Sequence, residues 1–142
     1  MPRTHLVVIN DGHNLHSALD YACETFPEDT ITALYVDTAG DGPRSIRWAD
    51  SETPAEDWIE GHRAEAAQLF ADAQSFADEY GVTLETVTAF GKLTDAVREY
   101  CTQHSVDTVI IGSVDRNAFR SYVVGDDVTR IANTAPVPVV IV

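Results

Sequence analysis

Histidines at positions 13 and 16 stand three residues apart, with Asp11 two residues before the first. At that spacing one helical turn could direct a carboxylate and two imidazoles at a divalent cation. No fourth ligand accompanies them, so the pair reads as the solvent-facing edge of a first helical turn. Ser113 follows a glycine in Gly112-Ser113-Val114-Asp115, yet the second glycine of a nucleophile elbow is missing and a hydrolytic triad has no strained turn to sit on. A phosphoacceptor site of the response-regulator kind wants a lysine after a fifth strand, whereas Lys92, the sole lysine, follows the third. No Gly-x-x-x-x-Gly-Lys-Ser/Thr loop occurs. Cys23 and Cys101 lie far apart outside any Cys-x-x-Cys motif, each on the apolar stripe of a predicted helix, as small buried hydrophobes. His62 and His104 fall on predicted helices without a pattern. Side chains able to do covalent chemistry are present but not assembled, so the chain reads as a non-enzyme.

The elements that position these residues follow from composition and period. The 142 residues are 44% hydrophobic, enough for a single domain over 1–142 whose core needs no disulfide or metal. Nine Lys plus Arg against 23 Asp plus Glu give a net charge of −14, the wrong sign for a nucleic-acid partner. Arg supplies eight of the nine positive charges, and Asp outnumbers Glu by 14 to 9. That skew suggests a salt-loving source, because at molar salt a Debye length of about 3 Å quiets the repulsion of an acidic surface. No apolar window is long enough to span a membrane and no signal-peptide pattern precedes the first strand, which together imply a cytoplasmic protein.

The apolar run His5 to Asn10 is short and rich in β-branched residues, as a strand should be. Leu15, Ala18, Leu19, Ala22, Cys23 and Phe26 then repeat at helical steps up to Pro27. Ile31 to Val36 reads as a second strand, followed by a Gly-, Pro- and Asp-containing loop from Asp37 to Glu52. Thr53-Pro54-Ala55-Glu56 carries a capping box with proline at the first helical position, which predicts a long helix from there to Gly81. Its charged residues, among them Glu56, Asp57, Glu60 and Arg63, form a solvated face. Val82 to Ala89 gives a third strand and Leu93 to Cys101 a helix. Asp107 to Gly112 gives a fourth strand, Ser113 to about Val124 a loop, Val128 to Ala135 a helix, and Pro136 to Val142 a fifth strand. Strict alternation of strand and helix predicts an α/β fold, a doubly wound parallel sheet with helices on both faces. The last strand arrives late and is apolar at every position from Pro138 on, so an edge there predicts a homodimer joined through Val137 to Val142.

In such a sheet ligands bind beyond the carboxyl ends of the strands where strand order reverses. Four stretches carry a family pattern: the opening strand ending in Asp11-Gly12, the helix with Ala18, Leu19 and Ala22, the turn Gly91 to Ala96, and Val106 to Ser113 before a glycine-containing loop. With the closing Ala135 to Val142, the chain from His5 onward resembles a universal stress protein of the UspA type. The resemblance implies five strands in the order 3-2-1-4-5, with Asp11 and Gly112 flanking one crevice. It also implies an adenosine site in which Asp11 meets the ribose or its neighbouring phosphate and the backbone of Val36 faces adenine. Members that bind ATP carry Gly-x-x-Gly, nine residues, then Gly-Ser/Thr, whose glycines let backbone amides approach the phosphates.

Gly112 and Gly125 occupy the first and third glycine positions of that signature, while Asp115 replaces the middle glycine and Asp126 the Ser or Thr. A carboxylate at a helix start already satisfies the dipole that a phosphate would use. At about 5 Å and an effective dielectric near 20, one carboxylate also repels one phosphate charge by roughly 3 kcal/mol, about a hundredfold in affinity. Arg116 and Arg120 in the same loop could clamp phosphates, and a divalent cation could bridge carboxylate to phosphate. The candidate site residues are therefore Asp11, Gly12, Val36, Gly112, Ser113, Arg116, Gly125 and Asp126. The favoured expectation is a dimeric, non-catalytic sensor or interaction module with a degenerate nucleotide crevice, a protein partner of unknown kind and no assigned cofactor. The alternative is a binder of ATP or AMP with Mg2+, with slow ATP hydrolysis as a side activity.

Overall fold

The computed structural model describes residues 2–10, 15–37, 46–49, 53, 58, 61–112 and 122–142; the side chains of 15 and 122–127 are not among them. Along the chain run β1 (Thr4–Val8), α1 (Leu15–Thr25), β2 (Thr30–Asp37), β3 (Arg47–Trp48), α2 (His62–Asp78), β4 (Glu85–Phe90), α3 (Leu93–Gln103), β5 (Thr108–Ile111), α4 (Tyr122–Thr134) and β6 (Val139–Ile141). The sheet order is β3-β4-β2-β1-β5-β6. β1 pairs in parallel with β2 on one side and β5 on the other, so strand order reverses at the β1–β5 boundary.

Period-2 alternation on the strands sorts the core into two layers. Val7, Ile9, Ile31, Ala33, Tyr35 and Ile110 face α1 and α2, where Ala18, Leu19, Ala22, Ala66, Ala73 and Ala77 meet them. Leu6, Val8, Leu34, Val36, Val109 and Ile111 face α3 and α4, against Ala96, Val97, Tyr100, Val128 and Ile131. Small residues on the helices let them lie close to the β-branched sheet. Burial pushes the Cys101 thiol up to about 11, and burial followed by the Asp20 charge raises that of Cys23, so both thiols behave as buried hydrophobes.

The expected five strands in the order 3-2-1-4-5 are corrected to six, mostly parallel. The extra strand, β3, lies antiparallel outside β4, with Arg47 opposite Phe90 and Trp48 opposite Ala89. Two residues are too few to show a period, which is why this stretch reads as loop. Side-chain contacts hold it: Trp48 packs edge-on against Tyr100 at 5.7 Å, and the Arg47 guanidinium stands 5.2 Å over the Phe90 ring.

Helix α2 also departs from expectation. Its first residue is His62, preceded by Gly61 at φ 86, a left-handed conformation that suits glycine. Trp58 sits at a bend, and 54–57, which include most of the capping box, lie outside the described residues. The third expected strand, Val82 to Ala89, is shortened to Glu85–Phe90 because the Gln74 carboxamide takes the place of a strand partner. It donates to the Val82 carbonyl at 3.0 Å and accepts from the Leu84 N–H at 3.0 Å.

Candidate functional site at the carboxyl end of the sheet

The position expected for the crevice lies between β1 and β5, which run side by side with His5 opposite Thr108 and Val7 opposite Ile110. Gly112 follows β5 directly and is buried, and Ile9 and Asn10 follow β1. Val36 sits near the end of β2 at 1% exposure, its side chain in the α3–α4 layer. Gly125 and Asp126 lie on the backbone of α4. Asp11, Gly12, Ser113 and Arg116 lie outside the described residues, as do Asp115 and Arg120. Of the expected site, the structure therefore places Val36 on β2 and Gly112 just after β5, the two strands flanking β1, together with the helix that carries Gly125 and Asp126.

Because α4 opens at Tyr122, Gly125 closes the first turn and Asp126 begins the second. The helix-end position expected for Asp126 is corrected accordingly. A helix dipole acts mainly within its first turn, so the remaining argument for Asp126 is the repulsion of its charge for a phosphate.

At Val36 the structure adds a residue that the sequence reading passed over. The last described backbone rung between β1 and β2 is the Ile9 N–H donating to the Leu34 carbonyl at 2.9 Å. Beyond it the Asn10 side chain takes over: its Nδ2 donates to the Val36 carbonyl at 2.6 Å, and its Oδ1 accepts from the Val36 N–H at 2.7 Å. An asparagine at a strand end reads as an ordinary turn residue. Only the distance between the two strand ends reveals the clamp.

A second group lies on the other face. Asp37, with no solvent exposure, accepts a hydrogen bond from His62 Nδ1 at 2.9 Å, while the imidazole is 32% exposed. A carboxylate can only accept, so Nδ1 carries the proton. Tyr35 stands nearby, its hydroxyl pushed up to about 12 by burial and then by the charges of Glu65 and Asp37. Aromatic rings close the group, Trp58 lying 6.5 Å from Tyr35 and 4.9 Å from Phe90. The available signal was Asp37 itself, an acid that continues the inward-facing series Ala33 and Tyr35 of a buried strand.

His16 stacks on Phe76 of α2 at 5.1 Å, and its expected companions Asp11 and His13 lie outside the described residues. Among the described residues no group of three His, Cys, Asp or Glu could hold a metal ion.

The model of the universal stress protein family matches residues 1–142. The chain belongs to that family. Solved universal stress proteins share its fold. UspA from Lactobacillus plantarum is 20% identical with a TM-score of 0.72, covering 99% of this chain and 97% of its own. A universal stress protein solved in complex with cAMP is 16% identical with a TM-score of 0.69, covering 99% and 96%. One from Arabidopsis thaliana with AMP bound is 17% identical with a TM-score of 0.66, covering 99% and 91%. No curated protein sequence matches the chain. As a universal stress protein, this chain keeps a glycine at the end of β5, while the Val36 backbone is bonded from within by Asn10. No described helix is long and apolar enough to cross a membrane.

Proposed function

We propose that this universal stress protein works as a dimeric, non-catalytic sensor or interaction module whose nucleotide crevice is degenerate. The carrying observation is the replacement of two positions in the phosphate signature by carboxylates, Asp115 and Asp126, between and beside the retained Gly112 and Gly125. Each brings a negative charge to the segment that the signature assigns to a triphosphate tail, and like charges repel. The Val36 backbone supports the same reading, since the Asn10 carboxamide already uses its donor and acceptor. The two cysteines, with burial-raised thiol pKa values, offer no nucleophile. Dimerisation through the closing strand is supported by the edge position of β6 and by Ile141, which is 48% exposed. A protein partner of unknown kind and the cytoplasm as compartment complete the proposal.

A second reading, a binder of ATP or AMP with Mg2+, is favoured by fold neighbours solved with cAMP and with AMP. Calorimetric titration with ATP plus magnesium, at moderate and at molar salt, separates the two. The proposed function expects no heat of binding under either condition. Micromolar affinity would establish the second reading instead.

A further inference from the structure

We propose that His62 is a phosphoryl acceptor, whose Nε2 takes a phosphoryl group from a small donor with a leaving group that departs unaided, such as phosphoramidate. This goes beyond the sensor reading above and does not depend on the phosphate signature around Gly112 and Gly125.

The geometry that carries it is the buried carboxylate behind the ring. Asp37, with no solvent exposure, accepts the Nδ1–H at 2.9 Å, which fixes the proton on that nitrogen and leaves the lone pair of the neutral ring on Nε2. A histidine held this way by a carboxylate is fixed in tautomer and orientation, and a positive charge that develops on the ring already faces its counter-charge. The ring is 32% exposed. Its Nε2 bonds no described residue and, unlike Nδ1 of His5, is not cut off from water. The nucleophile is therefore aligned from inside and open from outside.

The other described histidines lack that combination. His5 also pairs with a carboxylate, Asp29, but its ring is 1% exposed and its free nitrogen is sealed in the core. His104 directs Nδ1 at the Tyr100 carbonyl at 3.2 Å, a neutral acceptor, and stacks on that residue's ring. His16 stacks on Phe76 without a carboxylate among its described partners.

The surroundings suit the product. His62 is the first residue of α2, and Gly61 before it puts no side chain on the N–H groups of the opening turn. The helix presents the positive end of its dipole there, and Arg63, an exposed cation, follows directly. Glu65 is the opposing charge in that turn, and it is exposed, where salt screens it. In the transfer, the Nε2 lone pair forms the new N–P bond while the P–N bond of phosphoramidate breaks. The donor reacts as its zwitterion, so the bond's electron pair leaves with nitrogen as neutral ammonia. Nδ1 keeps its proton, and the positive charge gained by the ring is balanced by the Asp37 carboxylate.

The probe is phosphoramidate, added to the full chain at neutral pH, with the rate at each histidine followed by peptide mass spectrometry and the bond identified by phosphorus NMR. His62 should react first, at least about tenfold faster than any other histidine, and give the Nε2 isomer of phosphohistidine, labile in acid and stable in base. In the chain unfolded by urea that preference should vanish. His62→Gln, which keeps an N–H donor for Asp37, should lose the fast site, and Asp37→Asn should slow it at least about tenfold. Circular dichroism reports whether Asp37→Asn is folded; if it is not, the urea comparison decides in its place. A rate at His62 no greater than at His16 or His104 in the folded chain overturns the proposal. So does a preference that persists in urea, phosphorylation at Nδ1, or a folded Asp37→Asn variant that reacts as fast as the unaltered protein.

Discussion

His62 donates its Nδ1–H to Asp37 across 2.9 Å, joining the first turn of α2 to a carboxylate that has no contact with solvent. A buried charge of this kind is tolerated because it is hydrogen-bonded, and truncating His62 takes away part of what offsets its desolvation. His62→Ala should lower unfolding stability by about 1–3 kcal/mol, measured by urea denaturation at neutral pH. His62→Gln, which retains an N–H donor, should recover part of the loss. No change in the alanine variant would show that Asp37 is stabilised without the imidazole.

At the opposite end of the sheet, the buried ring of His5 bonds Asp29 through Nε2 at 2.8 Å and stacks on Phe26 at 3.8 Å. The hydrogen bond from His5 is the main cause holding the Asp29 carboxyl below its ordinary value, with the Arg3 backbone N–H adding to it. The native state then binds this proton less readily than the unfolded chain, so the stabilisation is complete above the unfolded value of about 3.9 and is lost as pH falls through the native one. Asp29→Asn should be less stable than the unaltered protein at pH 7, and the difference should shrink below about pH 4. Thermal melts across pH 2 to 7 read this directly, and a difference independent of pH would contradict it.

Edge pairing at β6 is best probed at Ile141, which is 48% exposed, rather than at Val140, which packs into the α1–α2 layer. Ile141→Asp places a charge on the proposed dimer seam without hollowing the core. Its sedimentation mass should fall to the 15.5 kDa of a single chain. A mass that stays at that of a pair would place the contact elsewhere.

The phosphate site proposed around Gly112 and Gly125 yields a gain-of-function test. Asp115→Gly with Asp126→Ser restores the Gly-x-x-Gly and Gly-Ser pattern around Gly112 and Gly125. Removal of one nearby carboxylate is worth about a hundredfold by Coulomb repulsion before screening. The double variant should therefore bind ATP with magnesium at least about tenfold more tightly at moderate salt, and the gain should diminish at molar salt. A variant as silent as the parent would mean that charge is not what closes the loop.

What the linear chain determined is what short-range chemistry encodes: alternation of strand and helix, the two-faced burial of the strands, and the buried cysteines. Each rests on a period or a local spacing, and those survive without a partner. Tertiary structure alone decided the rest. β3 exists because Trp48 and Arg47 find Tyr100 and Phe90, residues more than 40 positions away. Asn10 meets Val36 26 positions on, and His62 meets Asp37 25 positions back. A hydrogen bond between side chain and distant backbone leaves no period in the sequence, because it depends on which strand ends lie side by side, and the sheet order fixes that only once the chain has folded.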